Sequence, residues 1–176
     1  MRFSTFIRVF LGFIPVFAFI TSFGFSNVAA QHAHGQAPAP IKPMASRGPV
    51  KPHVGTLPPI PYEGYPSPRP VAKTQAAYEF AARHPEVLHY IPCYCGCERS
   101  GHAGNHDCFV RSRDANGKVT WDSHGYGCAI CIDVAYSAMQ MHNSGASVAQ
   151  IRKVVDQQYA ARLPSKTPTP LPPVKK

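Results

Sequence analysis

The sequence predicts a small α+β domain, mainly helical and cysteine-rich, with one β-hairpin, set between two proline-rich disordered tails. Three observations lead there. Eleven of the nineteen prolines lie in 31–71 and five in 164–176, which leaves only Pro85 and Pro92 in 72–163. That middle segment shows helical spacing of apolar residues and a single Asn-Gly turn. It also holds all six cysteines, Cys93, Cys95, Cys97, Cys108, Cys128 and Cys131.

Residues 1–30 read as a secretory signal peptide. Arg2 and Arg8 precede an apolar run from Val9 to Ile20, and Asn27-Val28-Ala29-Ala30 gives a small-residue exit. A basic start, an apolar stretch of about 7–15 residues and such an exit define this signal. A membrane anchor needs about 20 predominantly apolar residues, and Pro15 interrupts the run here. The expectation is an exported protein, periplasmic or secreted, with no stable membrane insertion after cleavage. Residues 31–71 then form a Pro-rich linker and 164–176 a Pro/Lys tail, because proline donates no backbone hydrogen bond and favours extended chain. The string PIPYEGYPSPRP resembles a ligand for a proline-binding groove, although such strings are common in linkers. An envelope protein partner is expected through this arm, if through any part of the chain.

Net charge is +9, but segment 72–163 carries nine Lys and Arg against eight Asp and Glu. The surplus therefore belongs to the tails and the signal peptide. Nucleic-acid binding requires cations clustered on a folded face among stacking aromatics, so no nucleic-acid partner is expected.

Within 72–163, residues 74–84 place Ala77, Phe80, Ala81 and His84 at helical spacing, and Pro85 stops the helix. Pro85-Glu86-Val87-Leu88 reads as a further helical turn. Cys108-Phe109-Val110 and Lys118-Val119-Thr120-Trp121 flank the turn Asp114-Ala115-Asn116-Gly117 as a hairpin. In 128–142, Cys128, Ile132, Ala135, Met139 and His142 share one helical face, with Cys131 beside them. Ser147-Val148-Ala149-Gln150 has capping-box spacing, and Val148, Ile151, Val155 and Tyr159 form the buried stripe of the helix it starts.

An even number of cysteines in a small exported domain makes three disulfides the first alternative to weigh. Three thiols within five residues close almost no loop if paired together, so little unfolded-state entropy is removed. Pairing each with a distant cysteine crowds three bridges into one place. A second alternative is redox chemistry at Cys128-Ala129-Ile130-Cys131, but no βαβ unit accompanies that pair. Convergence on metal fits the spacing best. Thiolates with neighbouring imidazoles suit Cu(I) or Zn(II), with His102 and His124 as candidate ligands beside the six cysteines and His106 nearby. Six sulfurs exceed one zinc tetrahedron and permit a multinuclear thiolate site, for which Cu(I) is the natural ion. Met139, Met141 and His142 are further soft or borderline donors, and Gln31-His32-Ala33-His34 would offer a terminal amine beside imidazoles. Asp107, Asp122 and Asp133 are the carboxylates a catalyst would draw on, without any motif of their own. Metal handling is expected over catalysis, and a disulfide-stapled interaction module remains the other class.

Pro92-Cys93-Tyr94-Cys95-Gly96-Cys97 resembles the signature of the exported bacterial proteins, many of them lipoproteins, that are named for their PCYCGC motif. Pro85-Glu86-Val87-Leu88, Gly101-His102, Asp107-Cys108-Phe109-Val110, Trp121-Asp122, His124, Gly127-Cys128 with Cys131, and Ile151-Arg152 extend the similarity over about 74–162. Glu98 stands where these proteins often carry another glycine, and no lipobox cysteine is present. The resemblance implies export and a six-thiol core acting as one unit, with metal binding suspected from its cysteines.

Overall fold

The structure, a computed structural model, describes residues 51–173; the signal-peptide reading of 1–30 and the histidines near Gln31 lie outside them. In chain order it contains α1 (Val71–Arg83), α2 (Pro85–Leu88), two 3-10 turns (Cys97–Ser100 and Asn105–Cys108), β1 (Val110–Arg113), β2 (Val119–Trp121), α3 (His124–Gly127), α4 (Ala129–Asn143) and α5 (Val148–Tyr159). This is the helix-rich α+β arrangement with one hairpin that the sequence predicts. Among the described residues no helix is long and apolar enough to cross a membrane.

Helix α4 is the hub, packing against α1, α2, α3, α5 and the second 3-10 turn. Its buried face is Cys131, Ile132, Val134, Ala135 and Ala138. Helix α1 answers with Ala77, Tyr78, Phe80, Ala81 and Ala82, buried residues that alternate small alanines with two large rings. It begins at Val71, three residues before the predicted start: Pro70 takes the N-cap without a side-chain cap bond, and its carbonyl accepts the amides of Lys73 and Thr74. Pro85 both ends α1 and opens α2, its ring occupying a first-turn position where an amide would have no partner.

In α5 the capping box forms as expected, with Ser147 Oγ accepting from Gln150 N and Gln150 Oε1 accepting from Ser147 N. Ile151 and Val155 are buried, whereas Val148 and Tyr159 pack at the core margin. Arg152, which apolar periodicity does not single out, is also buried: its Nη1 donates to the carbonyls of Tyr90 (2.8 Å) and Pro170 (2.9 Å).

The hairpin pairs Val110 with Trp121, Ser112 with Thr120 and Arg113 with Val119, with a bulge between Val110 and Ser112. Gly117 N donates to Asp114 O (3.0 Å), Gly117 takes φ +81°, and Asp114 Oδ1 accepts the amides of Asn116 and Lys118. The strand starts at Val110 and not at Cys108, because Cys108 closes the preceding 3-10 turn.

Both flanks of 72–163 touch the domain. Trp121 Nε1 donates to the carbonyls of Pro58 and Pro59, Tyr62 and Tyr65 meet Tyr126 edge to face, and Arg69 with Lys73 pairs with Asp133. On the other side Thr167 is buried. Residues 51–70 and 164–173 contain no helix or strand. Proline content does not report the absence of contacts, since a proline-rich chain keeps its carbonyls and its aromatic and hydroxyl side chains.

Two outcomes are expected. A Cβ at Gly125 would lie 2.4 Å from the Phe109 ring and 2.7 Å from Cys108 O, so Gly125→Ala must displace both. The cost is about 1–3 kcal/mol of stability, measured by urea unfolding, because overpacking a filled site forces its neighbours from their rotamers. Asp133 is held below the usual carboxylate range, first by its hydrogen bond to Arg69, although partial burial opposes this, and then by Lys73. Its contribution is complete above about pH 4 and is lost as pH falls through the lowered value. Asp133→Asn should therefore reduce stability at neutral pH and flatten its dependence on pH at the acid end.

Candidate metal centre

The motif loop starts from alternation. In an extended stretch successive side chains leave on opposite sides. Tyr94 departs toward α5, where its hydroxyl donates to Asp156 and its ring stacks on Tyr159 at 5.7 Å. Cys93 and Cys95 leave on the other side, with their sulfurs 3.3 Å apart. Gly96 then takes φ +86°, a conformation side-chain-bearing residues rarely adopt, and turns the chain so that Cys97 rejoins them. Gly101, also left-handed at φ +84°, ends the 3-10 turn and delivers His102.

The other three sulfurs arrive from separate elements. Cys108 ends the second 3-10 turn and stands 3.6 Å from Cys97. Cys131 lies in the first turn of α4, 3.4 Å from both Cys93 and Cys95. Cys128 is not in the helix, as its periodicity suggests, but caps it: its sulfur accepts the amide of Cys131 at 3.4 Å. All six cysteines are free thiols. Sγ separations of 3.3–3.6 Å fall a little short of the edge of about 3.8 Å that four sulfurs around zinc would define from Zn–S bonds near 2.3 Å. Closing that gap requires shifts of a few tenths of an ångström.

Donor trios drawn from this cluster are Cys93/Cys95/Cys97, Cys95/Cys128/Cys131, Cys93/Cys108/Cys131 and Cys97/His102/Cys108, the donor atoms in each lying within 4.8 Å of one another. His102 thus stands among the sulfurs, its Nδ1 3.4 Å from Cys108 Sγ. Burial lowers its pKa and favours the neutral, ligating imidazole. Asp122 Oδ2 lies 3.9 Å from its Nε2, a charge near the ring at longer than hydrogen-bond distance. Asp122 is itself fixed by the amide and Nδ1 of His124 (2.9 and 2.7 Å) and by Arg111.

His124 is accordingly placed one step out. It pairs with Asp122 and meets the His102 ring edge to face at 4.8 Å. His106 is buried and turns Nδ1 to Asp107 at 3.3 Å. Asp133 belongs to the ion pairs with Arg69 and Lys73, on a different part of α4. Met139 and Met141 pack against the core. His142 lies with His84 and Glu86 in a separate group, where the His84–Glu86 pair at 3.0 Å and ring contacts with Phe80 account for the arrangement.

Crowding splits the thiols. Cys93 is lowered to about 4, first by its contact with Cys108 and then by Cys131. Cys95 is lowered as well, by Cys108 first and then Cys128 and Cys131. Cys108 is pushed up, chiefly by Cys131 and Cys93. In Cys97 and Cys131 a lowering contact from Cys108 is outweighed by the remaining sulfurs and by burial. Cys128 rises to about 11, since Cys95 and burial outweigh the contact with Cys131. The cause is mutual: two thiolates 3.4 Å apart repel by on the order of 5 kcal/mol at an effective dielectric of 20, so some sulfurs carry charge and the rest donate protons to them. All six ionise together only beside cations.

The site shows residues that composition does not reveal. Thr167 Oγ1 accepts Cys93 N (2.8 Å), and Thr167 N donates to Cys93 O (3.0 Å). Thr169 Oγ1 donates to Ala103 O at 2.6 Å. The tail therefore straps the motif loop in place.

Fold and site define a small domain built around a cluster of free thiols. A family profile described as a protein of unknown function with PCYCGC motif matches residues 69–172, and the chain belongs to that family. The match takes in Thr167 and Thr169 as well as every cysteine. No curated protein and no solved structure matches the chain.

Removing the strap tests its role. Thr167→Val, which loses the hydrogen bond to the buried Cys93 amide and the one to Thr169 Oγ1, should cost about 1–3 kcal/mol and quicken alkylation of Cys93 in the reduced protein. Mass-spectrometric mapping of labelled cysteines checks this.

Proposed function

We propose that this chain is an exported metal-handling protein that holds a thiophilic ion, Cu(I) or Zn(II), through Cys93, Cys95, Cys97, Cys108, Cys128, Cys131 and His102. The observation that carries this reading is the convergence of six free sulfurs from the motif loop, the second 3-10 turn and the start of α4, with the His102 imidazole among them. Thiolate and imidazole donors favour soft and borderline ions over calcium or magnesium. Cys95 and Cys128 are half-buried whereas Cys93, Cys97, Cys108 and Cys131 are buried, so an ion reaches the cluster at the Cys95–Cys128 side. Exchange with a partner's thiolates would occur at that side.

Catalysis by the Cys128–Cys131 pair is supported less well. A reactive thiol at a helix start works through a depressed pKa, yet Cys128 is pushed up to about 11. Asp122 is held by His124 and Arg111, and Asp133 by its ion pairs. Envelope location rests on the sequence of residues 1–30 alone.

Metal content, thiol count and thermal unfolding of the full chain, purified without oxygen, test the reading. Expected are a bound thiophilic ion, a chelator-dependent fall in Tm, and affinity that weakens as pH falls, because binding displaces thiol protons. The double substitution Cys128→Ser with Cys131→Ser should lower metal content and Tm together. Protein that purifies metal-free with six oxidised sulfurs, unfolded by reductant but indifferent to chelator, would sink the proposal in favour of a disulfide scaffold.

A further inference from the structure

We infer that the cluster is built for four Cu(I) ions bridged by thiolates, not for a single ion; this rests on the metal-binding reading above and specifies its nuclearity. The sulfurs of Cys93, Cys95 and Cys131 form a triangle with sides of 3.3, 3.4 and 3.4 Å. Each side is shared with one further cysteine: Cys97 over Cys93–Cys95, Cys128 over Cys95–Cys131, and Cys108 over Cys93–Cys131. Two triangles related in this way, the corners of one set over the sides of the other, are opposite faces of an octahedron. Cys97 and Cys108, 3.6 Å apart, form one side of the second face.

Ions placed in four alternate faces of a sulfur octahedron each meet three sulfurs, and each sulfur bridges two ions. Three of the donor trios at this cluster have that relation in full. Cys93/Cys95/Cys97, Cys95/Cys128/Cys131 and Cys93/Cys108/Cys131 share corners but no sides. The fourth, Cys97/His102/Cys108, shares one corner each with the first and the third. Cys93, Cys95, Cys97, Cys108 and Cys131 thus each belong to two of these trios, while Cys128 and His102 belong to one. His102 takes the position in the fourth face that Cys128 would hold in a closed octahedron, so one corner is opened and capped by nitrogen.

Coordination number and charge select the ion. Monovalent copper is stable with three thiolates around it, whereas zinc takes four ligands in a tetrahedron. Six thiolates around one divalent ion would leave four negative charges in a site where four of the sulfurs are buried. Buried charge of that size carries a desolvation penalty of several kcal/mol per ion. Four monovalent ions leave two negative charges, and loading four Cu(I) releases whatever protons the six sulfurs still carry, with no change in oxidation state. The trio at the half-buried Cys95 and Cys128 is the first a copper ion meets.

The test is anaerobic titration of the reduced full chain with a Cu(I)–bicinchoninate complex, followed by native mass spectrometry and copper X-ray absorption. Four coppers per chain are expected, with the empty and four-copper species dominating intermediate mixtures and a copper–copper scattering path in the loaded protein. His102→Ala should bring the plateau from four to three, while Cys128→Ser, which touches a different trio, should independently do the same. A plateau at one or two ions, a missing copper–copper path, or four ions retained in both variants overturns the assignment while leaving the metal-binding reading intact. Failure of the reduced protein to bind either Cu(I) or Zn(II) ends both.

Discussion

Six cysteine sulfurs gathered into one cluster, five of them 3.3–3.6 Å from another sulfur, are the constraint on which the rest of this fold depends. Thiols brought this close cannot all ionise, and thiolates left alone would push the loop, the second 3-10 turn and the start of α4 apart. In the metal-free chain the charge is shared, with Cys93 and Cys95 as acceptors and their neighbours as donors. On the proposed reading, cations would turn the same geometry into a binding site. The domain therefore has two electrostatic solutions for one arrangement, and either requires the elements that carry the sulfurs to be held from outside.

That support comes from three directions. Helix α4 anchors the cluster through Cys131, whose backbone is continuous with the Ile132–Ala135 face packed on α1. The Tyr78 hydroxyl of α1 donates to Asp122 O at 2.7 Å, and its ring meets Phe109 and Trp121, so the hairpin and the carboxylate near His102 are tied to the same helix. The third support is the tail, where Thr167 pairs with Cys93 in both directions. Gly125 marks how tightly the second of these is packed, since the ring of Phe109 fills the space where its Cβ would stand. Rigidity of this kind suits ion binding, because donors already converged lose little freedom when an ion arrives.

Much of the site was legible because its signals are local. CYCGC within five residues, a glycine where the chain must turn, and CxxC at the start of a helix each follow from spacing and backbone geometry. The helices were legible for the same reason: proline starts and stops, apolar periods of 3.6 and a capping box act over a single turn. What spacing could not separate was the three histidines. His102, His106 and His124 lie equally near the cysteines in sequence, yet His102 meets a sulfur, His106 meets Asp107 and His124 meets Asp122. The choice among them is made by the left-handed Gly101 and by the position of β2, which carries Asp122 into place.

Sequence by itself determined the donor chemistry, the fold class and the family, because residue type, helical period and a hexapeptide motif survive without coordinates. Tertiary structure alone decided which sulfurs are neighbours, which imidazole joins them and what the proline-rich flanks do. Cys93 and Cys131 are thirty-eight positions apart and 3.4 Å apart in space; Cys93 and Thr167 are seventy-four apart and share two hydrogen bonds. Such pairs are set by the packing of α1, α4 and α5 around one core. No local rule encodes them, since the free energy that brings them together belongs to the buried surface of the whole domain.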